Sequence, residues 1–168
     1  LVTANGTAEE LILQYPLLLQ NDGTGKFKDV GKQTGSYFGT KRSGRGLAIL
    51  DYDNDGDIDI LISHVDLKAT PALLRNESGK DNHWLGLTLM GPLGLSSGLG
   101  ALVTVEAGGK TQVAINQWSM GYLSNNYPRL HLGLGTAEKI DRLVVSWPDG
   151  EQQTFENLET DRYLKIDK

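Results

Sequence analysis

The 168-residue chain has no cysteine, which excludes disulfides and thiolate metal sites. It has no apolar run near the roughly 18 residues that a membrane-spanning helix needs. The longest candidate, LILQYPLLLQ, is broken by Gln14, Pro16 and Gln20, so no membrane insertion is expected. Lysine and arginine are nowhere clustered, which argues against a nucleic-acid partner. There is no initiator methionine and no basic segment followed by an apolar one, so no signal peptide is read. Leu1 stands inside what reads as a strand, and the expectation is a fragment or a processed product.

What remains is a globular composition rich in turn formers. The chain has 21 glycines and 5 prolines, 39% hydrophobic and 22% charged residues, a balance suited to an all-β fold with many turns. The net charge of −5 comes from 21 acids and 16 bases. Five of those acids lie between Asp51 and Asp59, and the remaining 16 balance the bases. The acidity is local.

Almost every segment reads as a short strand. GLAIL (46–50) and IDILIS (58–63) are nearly continuous apolar runs, the pattern of strands covered on both faces. The one helical candidate is Thr7 to Tyr15, where Thr7 and Glu10 suit a capping box and Pro16 supplies a stop. A repeat of about 55 residues aligns PLLLQNDGTGK (16–26) with PALLRNESGK (71–80), and LVTANG (1–6) with ILISHV (60–65). That period suits propeller blades. On this alignment Leu1 begins the strand after a second acidic loop, which is expected to precede these residues.

From Asn82 onward seven strands are expected: HWLGLTLMG, ALVTVEAGG, KTQVAINQW, RLHLGLG, DRLVVSWPDG, EQQTFENL and RYLKID. Gly108-Gly109 supplies a tight hairpin turn, and WPDG a second turn. Val103, Val105, Val113 and Ile115 are read as one apolar face. Seven short strands so spaced indicate a sandwich or small barrel.

The stretch DYDNDGDIDI has the pattern D-x-D-x-D-G-x-x-D: Asp51, Asp53, Asp55, Gly56, Asp59. Alternate carboxylates in a tight loop converge on one point, and Gly56 permits the wrap. Asp57 is placed to present its backbone carbonyl. Hard oxygen donors in this number suit Ca2+; zinc would want histidine or cysteine. A divalent cation also removes the mutual repulsion of the aspartates. An EF-hand is excluded, because it needs flanking helices and a glutamate at loop position 12, which here is Ile62. The expected metal residues are Asp51, Asp53, Asp55, Asp57 and Asp59.

These residues have a family likeness. GLAILDYDNDGDIDILIS followed by ALLRNESG resembles the FG-GAP/VCBS calcium-binding repeat of integrin-α-like β-propellers, and LLLQNDGTGKFKDVGKQTG is similar to the outer part of that repeat. GALVTVEAGGKTQ, GYLSNNYPRLHLGLG and VVSWPDGEQQTFENL resemble the ASPIC/UnbV domain, found after such repeats in cartilage-acidic-protein-like extracellular proteins and many bacterial ones. GLSSGLGA lacks the arginine that often precedes GALVTV in that family. The resemblance implies partial propeller blades with one calcium loop over residues 1–80 and an ASPIC/UnbV-like β domain over 81–168. Two incomplete blades would leave apolar edges. Packing on another copy, or on residues outside these 168, is the expectation.

Other motifs have plainer readings. GLSSG (94–98) lacks the strand–turn–helix context of a nucleophile elbow and reads as a loop. GGKT (108–111) reads as a hairpin, since Thr104 stands where a phosphate loop needs glycine. His64, His83 and His131 show no paired spacing. Asn5 and Asn76 open glycosylation sequons, and Asn76 also suits a turn. Trp84 and Trp147 are read as core. The polar loop Asn116 to Pro128 is the candidate recognition surface, carried by Trp118, Tyr122, Asn125 and Tyr127.

The expected protein is a non-catalytic, calcium-binding, all-β module, with partial β-propeller blades followed by a β-sandwich-like domain. Its expected setting is secreted, extracellular or periplasmic, where calcium is high enough to fill a weak site. The expected partner is a protein, extracellular matrix or cell-surface component. A carbohydrate-binding module that takes a glycan is the alternative, as is an accessory domain of a secreted enzyme with its active site upstream.

Overall fold

The computed structural model describes residues 1–6, 11–66, 69–78, 81–91, 98–119, 121–122 and 124–168. The chain is all-β. It divides into two compact units. The first comprises Leu1–Ile49, Asp59–Arg75 and Ser119–Asn125; the second comprises Leu50–Ile58, Asn76–Trp118 and Asn126–Lys168.

The first unit holds two three-stranded antiparallel arrays. β1 (Val2–Thr3), β2 (Leu17–Asn21) and β3 (Phe27–Asp29) form one sheet in that order. β4 (Gly44–Leu50), β5 (Asp59–His64) and β6 (Ala72–Leu74) form the other. A single helical turn, α1 (Gly31–Thr34), follows β3. The repeat read in the sequence is reproduced in strand pairing. Val2 lies opposite Leu18, and its counterpart Leu61 lies opposite Leu73. Thr3 pairs with Leu17 as Ile62 pairs with Ala72. After each pair of strands the same asparagine closes a turn. Asn21 Oδ1 accepts from Gly23 N–H at 2.7 Å, and Asn76 Oδ1 accepts from Ser78 N–H at 3.1 Å. These are Asx turns, in which the side chain substitutes for a backbone acceptor.

The core of this unit is Tyr37, Phe38 and Ile62, with Val2, Leu18, Leu47, Ile60 and Leu74 packed against them. Tyr37 and Phe38 meet edge to face at 5.4 Å. β5 is not covered on both faces as its run of apolar residues suggested. Ile62 is buried, whereas Leu61 and its partner Leu73 are exposed. Within Thr7 to Tyr15, residues Thr7 to Glu10 lie outside the described residues and Leu11 to Tyr15 are not helical. Gln14 instead exchanges both backbone hydrogen bonds with Arg42, at 2.9 and 2.8 Å. That bridge uses the groups a helix would have needed.

The second unit contains the seven C-terminal strands. They are β7 (His83–Met90), β8 (Leu102–Ala107), β9 (Lys110–Ile115), β10 (Leu130–Gly135), β11 (Lys139–Ser146), β12 (Gln152–Glu159) and β13 (Arg162–Asp167). One sheet has the order β10-β7-β13 and the other β12-β11-β8-β9. β13 runs parallel to β7; the other pairs are antiparallel. The two sheets share one core, sandwich fashion. Leu85, Leu87 and Leu89 of β7 meet Val103, Val105, Leu143, Val145 and Trp147. Trp147 is core as expected, and its Nε1–H donates to Gln153 at 3.2 Å.

Gly108 and Gly109 both have positive φ, 56° and 72°, the requirement of a type I′ turn. That two-residue turn corrects the reading of β9. It pairs Ala107 with Lys110, so Val103 faces Ala114 while Val113 faces Thr104 and Ile115 faces Leu102. Val113 and Ile115 therefore lie on the outer face and are exposed. WPDG is a three-residue connection: Trp147 N–H bonds to Glu151 O, and Gly150 takes φ 91°. GLSSG, apart from Gly98, lies outside the described residues.

Candidate metal centre

The acidic loop joins β4 to β5. Its sequence dictates a tight wrap: Gly56 has φ 92° and Asn54 has φ 59°. Both lie in the left-handed region, which glycine and asparagine tolerate best. Asp51 organises the wrap from within. Its Oδ1 accepts from Asp55 N–H at 3.2 Å, and its Oδ2 accepts from Gly56 N–H at 2.9 Å. Asp55 Oδ1 in turn accepts from Asp57 N–H at 2.9 Å.

The wrap brings Asp51, Asp53 and Asp59 together, each offering a carboxylate oxygen within 4.8 Å of the others. Asp51 and Asp59 are buried. Three hard, anionic oxygens at one point form a donor set suited to calcium and unsuited to soft metals. The residues present therefore fit the cation. Asp55 and Asp57 line a cleft of about 500 Å³ together with Asp81, Asn82, His83, Trp84 and Asp161.

Within the second unit the loop lies against the outer face of the β10-β7-β13 sheet. The Tyr163 hydroxyl donates to Asp51 Oδ2. Arg129 Nη1 donates to Asn54 Oδ1 at 2.9 Å, and its guanidinium stands 3.8 Å from the centre of the Tyr163 ring. The Trp84 indole stacks on His131 at 5.5 Å and meets Tyr163 at 4.6 Å. The strand register makes this cluster possible. His131 and Tyr163 flank Gly86 on either side of β7. A side chain at Gly86 would overlap the Tyr163 ring. Trp84 itself is fixed by Asp161, whose Oδ1 accepts from the Trp84 N–H at 3.1 Å and whose N–H donates to the Trp84 carbonyl at 2.8 Å.

The electrostatics follow from burial and neighbours. Burial raises the Tyr163 phenol far above its ordinary pKa, and its donation to Asp51 adds to the rise, so the hydroxyl stays a donor. Burial pushes His131 below its ordinary value of 6.5, against the pull of the Asp51 and Asp57 carboxylates. His131 is therefore held neutral in the fold. As pH falls below 6.5 the unfolded chain takes the proton first. The stability tied to neutral His131 is complete above that pH and is lost as pH falls through the lowered folded value. In chelator, the melting temperature is expected to decline as the pH is taken below 6.5. In a His131→Gln variant, melts over the same pH series should lack this component.

The FG-GAP-like repeat pattern matches residues 4–62, and the ASPIC and UnbV pattern matches residues 92–168. The chain carries an FG-GAP-like repeat followed by an ASPIC and UnbV domain. The FG-GAP-like repeat includes the whole acidic loop, and the ASPIC and UnbV domain includes Arg129, His131 and Tyr163. The chain is also similar to cartilage acidic protein 1. Identity is 31% over 109 residues to the Xenopus tropicalis protein, covering 64% of this chain and 17% of that one. It is 30% over 109 residues to the Homo sapiens protein, covering 64% and 16%. The matched part of the chain thus spans about a sixth of these relatives. No helix among the described residues is long and apolar enough to cross a membrane.

The candidate recognition residues of the loop Asn116 to Pro128 divide between the two units. Tyr122 and Asn125 belong to the first unit and are exposed. There Arg45 stands 5.6 Å from the Tyr122 ring centre, and Ser124 Oγ accepts from Leu47 N–H at 2.9 Å. Trp118 and Tyr127 belong to the second unit, where Tyr127 is exposed and faces Arg129 at 5.0 Å. Trp118 is half-buried, and its carbonyl accepts from Asn126 N–H at 2.8 Å. Sequence reasoning missed Tyr163, Arg129 and Gly86, and it placed Trp84 in the core. Trp84 lies on the outer face, opposite in phase to Leu85, Leu87 and Leu89. That alternation was the available signal.

Proposed function

We propose that this chain is a calcium-binding, non-catalytic recognition module that works outside the cytoplasm. The observation that carries the reading is the convergence of Asp51, Asp53 and Asp59 within 4.8 Å inside an FG-GAP-like repeat. In this reading those three carboxylates hold Ca2+, with Asp55 and the Asp57 backbone carbonyl completing the oxygen set. Residues 1–80 act as partial propeller blades and residues 81–168 as the β-sandwich-like recognition domain. The exposed side chains Tyr122, Asn125 and Tyr127, with Trp118 beside them in sequence, present the recognition surface. The partner is a protein of the matrix or cell surface, a reading supported by similarity to cartilage acidic protein 1.

The setting follows from affinity. Extracellular calcium modules have Kd values of about 0.1–1 mM, and cytosolic calcium would leave them empty. With calcium near 1 mM and a Kd near 0.1 mM, binding stabilises the fold by roughly 1.4 kcal/mol. For a chain of this size that corresponds to a rise in melting temperature of roughly 3–6 °C. Thermal melting in millimolar calcium and in chelator tests the reading. A calcium-dependent rise is expected, with magnesium much less effective. Identical melts in calcium and chelator would remove the calcium reading.

A further inference from the structure

Asp51 is held by three donors, and one of them comes from 112 residues away along the chain. Its Oδ2 takes both the Gly56 N–H at 2.9 Å and the Tyr163 hydroxyl. Among the described residues its Oδ1 takes only the longer Asp55 N–H contact at 3.2 Å. The two oxygens are thus made unequal, and Oδ1 is the one left for a cation. Tyr163 has little freedom to do otherwise. Its ring lies over Gly86, against Trp84 at 4.6 Å and beneath the Arg129 guanidinium at 3.8 Å. Arg129 also holds Asn54, the residue of the loop with φ 59°.

We propose that Tyr163 is a positioning residue of the calcium centre, supplied by the ASPIC and UnbV domain, which fixes the Asp51 carboxylate so that one oxygen is turned toward the ion. The proposal rests on the calcium reading above. A hydrogen-bond donor on the far oxygen of a metal-binding carboxylate fixes its orientation, and removal of such a partner typically costs 10- to 100-fold in affinity. The chemistry also explains why a tyrosine and not a lysine stands here. A neutral donor orients Asp51 without adding to the positive charge that Arg129 already brings to the loop.

The test is Tyr163→Phe, which keeps the ring over Gly86 and removes only the hydroxyl. Calcium affinity is measured by calorimetry, and the hydration of bound Tb3+ from its luminescence lifetimes in H2O and D2O. We expect calcium binding about tenfold weaker, with more water on Tb3+ than in the parent protein. A lower melting temperature in chelator with unchanged affinity and hydration would make Tyr163 purely structural and overturn the proposal. If the parent protein binds no calcium, the underlying reading falls and takes the proposal with it. If it binds and the variant binds equally well, only the proposal falls. Should the variant fail to fold, the parent protein still decides. With 13Cζ-labelled tyrosine, the Tyr163 signal should shift as calcium saturates the loop, and a signal unmoved through saturation would overturn the role.

Discussion

Asp53→Ala is expected to weaken calcium binding by on the order of a hundredfold, since affinity in such loops follows the count of charged oxygen ligands. Asp51, Asp53 and Asp59 are the three carboxylates that converge. Asp51 and Asp59 are buried, and Asp51 also receives the Asp55 and Gly56 N–H groups. Replacing either would confound loss of a ligand with loss of the loop, so Asp53 is the informative position. Melts of parent and variant in chelator give the part of the effect that does not depend on the ion. In calcium the two should separate, with the parent rising and the variant staying. Calorimetric titration gives the affinity directly. A variant that binds calcium as tightly as the parent would remove Asp53 from the ligand set.

Gly56→Ala should destabilise the fold by roughly 2–6 kcal/mol, from two independent causes. The first is conformational. Gly56 has φ 92°, a value that costs an L side chain on the order of 1–3 kcal/mol. The second is steric. A Cβ at this position would overlap the Trp84 indole. Trp84 cannot easily yield, because its backbone is held on both sides by Asp161 and its ring is stacked on His131. Overpacking of that kind costs about 1–3 kcal/mol. Urea unfolding followed by circular dichroism measures the sum. A loss below about 0.5 kcal/mol, the range of an ordinary surface change, would mean that the loop does not rest on Trp84.

Much of the fold was legible because the relevant signals are short-range. Leu85, Leu87 and Leu89 alternate with polar or small residues, so β7 could be read from eight residues of sequence. The same holds for Leu164 and Ile166 of β13, which alternate with Lys165 and Asp167. The repeat was legible as PLLLQN against PALLRN, and its asparagines make the same turn in both copies. The acidic loop was legible from spacing alone, since Gly56 and the alternate aspartates are local. The errors arose where a distant partner decides. Val113 and Ile115 look like inward residues until the two-residue turn fixes their register against β8. Thr7 to Tyr15 looks helical until Arg42 claims the backbone of Gln14. Tyr163 carries no local mark of its role: RYLKID reads as any strand, and its meaning lies in Asp51, far back along the chain.

The most direct test of calcium binding by this loop is a crystal structure of the chain grown in millimolar calcium. Density is expected for one ion at the β4–β5 loop, touched by oxygens of Asp51, Asp53 and Asp59, at calcium–oxygen distances of about 2.3–2.6 Å. Density for water alone among those three carboxylates, with calcium abundant in the drop, would contradict calcium binding there.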